Sequence, residues 1–147
     1  QPQRSAPPGN TRRIRLNEPV RVKGLELTVL DARWWQGTKS QHPPSGYVYV
    51  GYKLRVAALA KQQRIVATRF RVSADGREEG TFAFVRENRA WQPFLSFANL
   101  RRGEAVTGWL SFQVRRPNRF VSLTHNADEF DTYPDIQLDI PCCPVAG

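Results

Sequence analysis

The stretch NLRRGEAVTGWLSFQV, Asn99–Val114, decides the fold of this chain. In its second half apolar and polar residues alternate, which places Leu110, Phe112 and Val114 on one side of an extended chain. A period of two is typical of a β-strand with one face toward a hydrophobic core and the other toward solvent. The stretch therefore predicts a strand that the chain enters through a turn.

The residues before this strand predict the geometry of the turn. Gly103 can adopt the positive φ that a tight turn requires, and Glu104 begins the extended chain. Gly108 permits either a bulge or the close approach of another backbone segment. A role for Glu104 as a general base is the weaker alternative, because no partner of the right chemistry lies near it in sequence. We expect a sheet corner here.

The same period recurs along the chain. In GYVYVGYKLRVA, residues 46–57, every second residue is apolar and is expected to face the core: Val48, Val50, Tyr52, Leu54 and Val56. The dipeptide Asp75-Gly76 predicts a tight hairpin, with Phe82 and Phe84 on its return strand. Further alternating runs lie at 20–29, 66–72, 95–97, 121–123 and 136–140. These runs predict an all-β, immunoglobulin-like sandwich of two sheets with about seven to eight mostly antiparallel strands.

The turn and the strand after it also resemble a known family. The matching positions are Leu100, Gly103, Glu104, Val106, Gly108, Leu110, Phe112 and Val114. They resemble the pattern of a widespread family of secreted or membrane-tethered bacterial immunoglobulin-like domains of unassigned function, related to a small secreted mycobacterial antigen. The resemblance covers most of Leu16–Ile140 and implies the fold and an extracytoplasmic location, but no activity. AALAKQQ, residues 57–63, replaces the asparagine usual in the family, which implies a different local loop.

Length and composition set the domain organisation. A chain of 147 residues can form one domain that buries well over half of the surface exposed by its unfolded state. We expect a Pro-rich N-terminal arm or linker at 1–13, the sandwich at 14–140 and a C-terminal tail at 141–147. No apolar run approaches the roughly 18 residues of a membrane-spanning helix.

The sequence also predicts a compartment. The chain contains no methionine, so residue 1 is expected to follow a cleavage, either of a signal peptide or at an artificial boundary. A lipid-anchored bacterial lipoprotein would begin with cysteine, which Gln1 argues against. We expect a secreted or cell-surface bacterial protein.

The charge balance is strongly basic. The chain has 22 Lys and Arg against 13 Asp and Glu, a formal net charge of +9, and 18 of the basic residues are arginines. A field of this sign attracts polyanions such as nucleic acid, anionic lipid headgroups or acidic wall polymers. Solubility alone is the equally plain explanation.

Outward positions beside the predicted core combine aromatic and basic side chains. This candidate interaction face comprises Tyr47, Tyr49, Lys53, Arg55, Arg69, Arg71 and Trp109. The mixture suits stacking on sugars or bases, and it equally suits a protein interface. Alternatively, these residues are covered by loops or form solvated cross-strand ladders.

The two cysteines are adjacent, Cys142 and Cys143, between Pro141 and Pro144. They form a strained vicinal disulfide, bonds to another chain, or two free thiols. We expect no zinc site, because a zinc ion would need two more ligands and only the distant histidines could supply them.

No phosphate-binding glycine loop, nucleophile elbow or paired-histidine zinc motif is present in the sequence, so we expect neither enzyme activity nor a cofactor. The first hypothesis is a noncatalytic extracellular structural or protein-interaction module, with other protein chains as partners in self-assembly or a cell-surface complex. The alternative is a binder of anionic polymer, whether nucleic acid, wall polymer or lipid headgroup, through the basic aromatic face.

Overall fold

The alternating apolar residues build two five-stranded sheets. The computed structural model describes residues 11–22, 24–64, 69–95, 99–126 and 135–141. Over these residues the strands are β1 (Thr11–Arg13), β2 (Val20–Val22), β3 (Leu25–Trp35), β4 (Tyr47–Ala58), β5 (Gln63–Arg64), β6 (Phe70–Ala74), β7 (Glu78–Glu79), β8 (Thr81–Phe82), β9 (Asn99–Leu100), β10 (Ala105–Arg115), β11 (Phe120–His125) and β12 (Asp135–Pro141). A short 3-10 helix covers Arg89–Trp91.

The strands form the two layers of a sandwich. The β4 sheet has the order β2-β3-β4-β10-β8, and the β11 sheet has the order β1-β12-β11-β6-β7. A separate ribbon pairs β5 with β9. The neighbours in the sheets are antiparallel except β1 and β12, which are parallel. The predicted all-β, two-sheet sandwich is confirmed.

The described residues contain more strands than the sequence predicted. β2 and the first residues of β3 both lie in the predicted run at 20–29, whereas the additional strands have two or three residues each, too short to show an alternating pattern: β1, β5, β7, β8 and β9. Short edge strands of this kind limit unwanted pairing with other chains.

The core lies between the two sheets and contains the residues predicted from the alternation. Val48, Val50, Tyr52, Leu54 and Val56 of β4 are at most 1% exposed. β10 pairs with β4 without a register break from Ala105↔Ala57 to Arg115↔Tyr47, and its Leu110, Phe112 and Val114 are also buried. From the β11 sheet, the opposing buried residues are Phe70, Val72, Val121, Leu123, Ile136, Leu138 and Ile140.

The corner before β10 has the predicted geometry. Gly103 has φ +87°, and its backbone N–H donates to the Ala58 carbonyl at 2.9 Å. Glu104 Oε1 accepts from the Arg101 backbone N–H at 2.7 Å, so this carboxylate holds the turn together. Of the two roles open to Gly108, the structure shows the close approach, because the β4–β10 register continues through it while Leu95 packs against its α-carbon.

Both predicted domain boundaries move by a few residues. Thr11–Arg13 form an edge strand that pairs with Asp135–Gln137, so the last residues assigned to the N-terminal arm belong to the sandwich. Arg13 also forms an ion pair with Asp139 of β12. At the other end, β12 includes Pro141, which lies opposite Phe120. Cys142 and Cys143 lie outside the described residues.

The return strand of the Asp75-Gly76 hairpin is shorter than predicted. It ends at Glu79, and the chain then crosses to the β4 sheet, where Phe82 of β8 pairs with Phe112. Gly80 occupies the crossing point: a β-carbon there would lie 2.7 Å from the Gln113 carbonyl oxygen and 2.8 Å from Val72 Cγ1. The prediction of Phe82 and Phe84 on the return strand was wrong because the chain changes sheets at this glycine.

Candidate binding surfaces

The predicted basic aromatic face is not one surface. Tyr47, Tyr49, Lys53 and Arg55 belong to β4 and Trp109 to β10, both in the β4 sheet, whereas Arg71 belongs to β6 in the β11 sheet and Arg69 directly precedes β6. The outer sides of the two sheets face in opposite directions. The seven residues are therefore divided between the two sides of the sandwich, which sequence alternation cannot reveal.

Tyr49 and Trp109 are buried, which agrees with the alternative that these positions are covered and not with their role in an interaction face. Each is 6% exposed, because residues 83–95, which follow β8, pack across the outer side of the β4 sheet. Trp91 from that segment stacks on Trp109 with ring centroids 5.6 Å apart, and Trp35 stacks on Tyr49 at 5.6 Å. These aromatic residues and Val85 form a second, smaller core.

The position of Gly51 also identifies this aromatic cluster as a packed layer, and burial raises the pKa of the Tyr49 hydroxyl. Gly51 lies directly under Trp91, where a β-carbon would come within 2.6 Å of Trp91 Cε3. The cluster therefore offers no open aromatic platform on which a sugar or a base could stack.

Two of the four basic residues on the predicted face form ion pairs with acids among the described residues. Arg55 lies 4.0 Å from Glu26, whereas Lys53 is the register partner of Asp31 but the ion pair of Asp31 is with Arg33. On the other sheet, Arg71 lies 3.7 Å from Glu79. Such exposed pairs contribute little to stability, but they lower the net positive charge of both faces.

A basic cleft lies instead at the end of the sandwich where β10 stops. It has a volume of about 380 Å³ and is formed where the β6–β7 turn meets the β10–β11 loop. Four arginines line it: Arg77, Arg115, Arg116 and Arg119. None of these arginines was singled out from the sequence, because the two segments that carry them lie about forty positions apart and nothing in their local pattern indicates that they meet.

Asp75 joins the two sides of the basic cleft. Asp75 and Gly76 have φ of +51° and +72°, so the predicted tight turn forms. The Asp75 carboxylate accepts the backbone N–H groups of Asn118 at 2.9 Å, Arg119 at 2.8 Å and Phe120 at 3.1 Å. These hydrogen bonds, that of Asn118 first, hold the pKa of Asp75 below its ordinary value.

One of the four cleft arginines is fixed by neighbours. Arg115 Nε donates to Glu78 Oε2 at 2.7 Å, and its guanidinium lies 5.6 Å from the centre of the Tyr47 ring. The hydrogen bond with Glu78 raises the pKa of Arg115. Within the described part of the chain, Arg77, Arg116 and Arg119 form no ion pair.

A second exposed feature is the aromatic edge, formed by Phe82, Phe84 and Phe94. Phe82 is 41% and Phe84 65% exposed, and these are the most exposed large apolar side chains among the described residues. The Phe84 ring meets Phe94 edge to face at 5.8 Å, while Phe82 packs against the core residue Phe112 at 4.7 Å.

Hydrogen bonds fix the backbone of the aromatic edge. Ala83 donates to the Ser111 carbonyl at 2.9 Å, and Ser111 Oγ donates back to the Ala83 carbonyl at 2.8 Å. Gln41 Nε2 donates to the Phe84 carbonyl at 2.8 Å. Glu87 in turn accepts from Ser40 Oγ at 2.5 Å and from Thr38, which lowers the pKa of Glu87.

His125, at the end of β11, is an ionisable residue that faces the core. His125 is buried beside Phe70, with ring centroids 4.7 Å apart, and burial, together with nearby Arg69, lowers its pKa to about 4. Its Nδ1 and the Tyr52 hydroxyl are buried without a hydrogen-bond partner in the described residues.

Two classes of feature are not found in the residues at 11–22, 24–64, 69–95, 99–126 and 135–141. No three His, Cys, Asp or Glu side chains there come together as metal ligands. Over the same positions, no helix has the length and apolar character needed to cross a membrane.

Comparison with known proteins defines a class of fold. No protein-family model matches the chain, and none of the curated protein sequences matches it either. Solved structures do: the yjhA protein of Bacillus subtilis superposes with a TM-score of 0.63 at 15% identity, covering 86% of this chain and 98% of that one. The secreted protein MPT63 of Mycobacterium tuberculosis superposes with a TM-score of 0.60 at 16% identity, and the match covers 88% of this chain and 96% of MPT63.

A third match differs in length. The candidate lipoprotein ycdA of Bacillus subtilis superposes with a TM-score of 0.65 at 11% identity over 84% of this chain, but this chain spans only 38% of ycdA. Identities this low relate the proteins by fold alone. The chain is therefore similar to bacterial β-sandwich proteins, among them a secreted protein, and the family resemblance seen in the sequence is supported at the level of the fold.

Proposed function

We propose that this chain is a noncatalytic, extracytoplasmic protein-interaction module and that the aromatic edge is its docking surface. The observation that carries the proposal is Phe84, which is 65% exposed on a backbone held by hydrogen bonds with Ser111 at Ala83 and with Gln41 at Phe84 itself. Covering an aromatic side chain that is exposed to this degree removes a large apolar area from water, which favours binding of a partner.

The aromatic edge has the properties of an interface centre. Large aromatic side chains contribute much of the binding energy at protein interfaces, because they bury a large area with few rotatable bonds. Ser111 and Gln41 fix the segment before any partner arrives, so binding costs little ordering entropy. The short strands β7 and β8 are edge strands of the two sheets and are separated only by Gly80, so a partner can approach there without displacing a long strand.

The use of the polar residues supports a noncatalytic role. The carboxylates of Asp75, Glu87 and Glu104 accept hydrogen bonds that hold turns and loops, and His125 faces the apolar core. An acid-base catalyst needs such groups free beside a substrate site.

The extracytoplasmic location rests on similarity. A secreted mycobacterial protein shares this fold over nearly its whole length, and a candidate lipoprotein shares it over part of its length. The sequence resemblance to secreted and membrane-tethered domains points the same way.

Site-directed photo-crosslinking in the producing cells tests the proposal. A p-benzoylphenylalanine placed at position 84 should form a covalent adduct with a second protein, whereas the same group at the control position 59 should not. Leu59 is a suitable control because it is also an exposed apolar residue, at 38%, and lies after β4.

The adduct identifies the partner by mass spectrometry, and an adduct of twice the chain mass would indicate self-assembly. Phe82→Ser should then weaken the isolated complex by roughly tenfold or more, as expected for an interface centre. If position 84 gives no adduct beyond position 59, the aromatic edge is not a protein-interaction surface.

The alternative function is binding of an anionic polymer, and the predicted basic aromatic face does not support it. Tyr49 and Trp109 are buried, and the basic residues lie on opposite sheets. Its remaining support is the basic cleft, whose ligand is a separate question.

A further inference from the structure

We propose that the basic cleft is a binding site for a ligand with repeated phosphate groups. The inference is independent of the aromatic edge, because it involves other residues at the end of the sandwich where β10 stops. It also assigns a function to arginines that the fold does not require, since Arg77, Arg116 and Arg119 are exposed and form no ion pair among the described residues.

Charge in the basic cleft is unbalanced. Four arginines line it against two acids, Asp75 and Glu78, which leaves a surplus of two positive charges. Both acids are already engaged: Glu78 binds Arg115 at 2.7 Å, and Asp75 accepts three backbone N–H groups. Among the described residues, no carboxylate forms an ion pair with the guanidinium groups of the other three arginines, so an incoming anion can replace water around them.

The cleft is also preorganised. The Asp75 carboxylate fixes the backbone of Asn118, Arg119 and Phe120, and the Asp75 N–H donates to the Phe120 carbonyl at 2.8 Å. On the opposite side, the Arg116 N–H donates to the Gly46 carbonyl at 2.9 Å, which ties the start of the β10–β11 loop to the residue before β4. Both segments that carry the arginines are thus held in place before a ligand binds, which reduces the ordering cost of binding.

Size and donor geometry favour phosphate groups in series. A single carboxylate fills one guanidinium fork, but a cleft of about 380 Å³ lined by several arginines can hold a ligand with more than one anionic group. The planar guanidinium presents paired N–H donors that match two oxygens of a phosphate. Arg115, fixed by Glu78 and Tyr47, forms a rigid wall against which such a ligand can lie.

Calorimetric titration with sodium tripolyphosphate at low and moderate salt tests the proposal. The test variant is Arg116→Gln with Arg119→Gln. The matched control is Arg101→Gln with Arg102→Gln, which removes the same charge at the other end of β10, about 35 Å away for a strand of this length. All four side chains belong to exposed residues, so the unfolding curves of both variants should match that of the wild type.

We expect the wild type to bind tripolyphosphate and the test variant to bind at least about tenfold more weakly, with a change below about twofold in the control. Amide resonances of Asn118 and Arg119 should shift on titration of the wild type. Absence of binding, or an equal loss in both variants, would overturn the proposal, because the second result shows only attraction to net charge. Equally tight binding of poly-glutamate, with the same dependence on Arg116 and Arg119, would overturn the assignment to phosphate.

Two sources of phosphate remain distinguishable. Vesicles containing phosphatidylglycerol are compared with vesicles of phosphatidylcholine alone. If the anionic vesicles bind through the same arginines and tripolyphosphate competes, the site takes lipid headgroups. If tripolyphosphate binds and the anionic vesicles do not, the site takes a soluble phosphate polymer. Either result supports the proposal.

Discussion

The backbone of Leu95 lies directly against the α-carbon of Gly108. A β-carbon at Gly108 would come within 2.5 Å of Leu95 Cα and 2.6 Å of Leu95 N. Two backbone hydrogen bonds hold this contact, from Leu95 N–H to the Trp109 carbonyl and from Trp109 N–H to the Pro93 carbonyl, both at 2.9 Å. The segment that covers the outer side of the β4 sheet is therefore attached to β10 at a position that only glycine can occupy.

Gly108→Ala should destabilise the protein by about 3 kcal/mol, because an overpacked contact with backbone cannot be relieved by a side-chain rotation. Urea denaturation followed by tryptophan fluorescence measures the change. Gly103→Ala is the control: φ there is +87° but nothing lies within 4 Å of an added β-carbon, so only backbone strain of about 1 kcal/mol is expected. A larger loss at Gly103 than at Gly108 would contradict the close approach.

The aromatic layer on the outer side of the β4 sheet can be tested through Trp91. Trp91→Ala should cost about 3–5 kcal/mol of unfolding free energy, because a 3% exposed indole is replaced by a cavity. It should also make Trp109 and Trp35 more accessible to acrylamide quenching, since Trp91 contacts both rings.

Phe84→Ala is the comparison for this substitution, since the Phe84 ring is 65% exposed and its removal should change stability by less than about 0.5 kcal/mol. Similar losses in the two variants would show that Trp91 does not belong to a packed layer.

The alternating runs predicted the sandwich and its core because a strand imposes a period of two on every residue that faces the interior. Val48 to Val56 and Leu110 to Val114 lie in the core as predicted. Turns were predictable where one residue type has a special backbone conformation, as at Gly103 and at Asp75-Gly76.

The binding surfaces could not be predicted in the same way, because they depend on contacts between distant segments. Alternation shows that Tyr49 and Trp109 point away from the main core, but not that Trp91 from a later segment covers them. The basic cleft exists because Asp75 binds the backbone of residues 118–120, more than forty positions away. No local pattern records either contact.

The bridge from Asp75 across the basic cleft is testable by amide hydrogen exchange. Asp75→Asn keeps a residue that tolerates the positive φ, but it replaces a carboxylate acceptor with a neutral amide. Exchange at Asn118, Arg119 and Phe120 should become faster, while exchange at core positions such as Val50 should not change.

The same bridge depends on pH. The pKa of Asp75 is lower in the folded chain than its ordinary value of 3.8. The carboxylate therefore stabilises the folded chain fully above pH 3.8, and this stabilisation is lost as the pH falls through the pKa of the folded state. Protection of these three amides in the wild type should therefore decrease at the most acidic pH studied. Unchanged exchange in Asp75→Asn would show that the carboxylate does not hold the loop.

His125 predicts a second, separate loss of stability at acid pH. Its pKa is about 4 in the folded protein against 6.5 for an exposed histidine, because burial against Phe70 and the nearby charge of Arg69 disfavour the imidazolium, although Asp135 acts in the opposite direction. Above pH 6.5 the imidazole is neutral in the folded and the unfolded chain, so it does not lower the free energy of unfolding. Between 6.5 and about 4 the unfolded chain binds the proton more readily, so stability falls as the pH falls, by on the order of 3 kcal/mol in total.

Urea denaturation at a series of pH values between about 4 and 7 measures this dependence for the wild type and for His125→Leu, since leucine suits a site lined by Leu27, Leu54 and Leu138. The leucine variant should have a much flatter profile over this range, because the group that titrates differently in the two states is gone. His42→Gln is the control, because it removes the other histidine of the chain, which is exposed. If His125→Leu retains the full slope, the acid sensitivity arises from other groups, and the imidazole of His125 is not held neutral by the sandwich core.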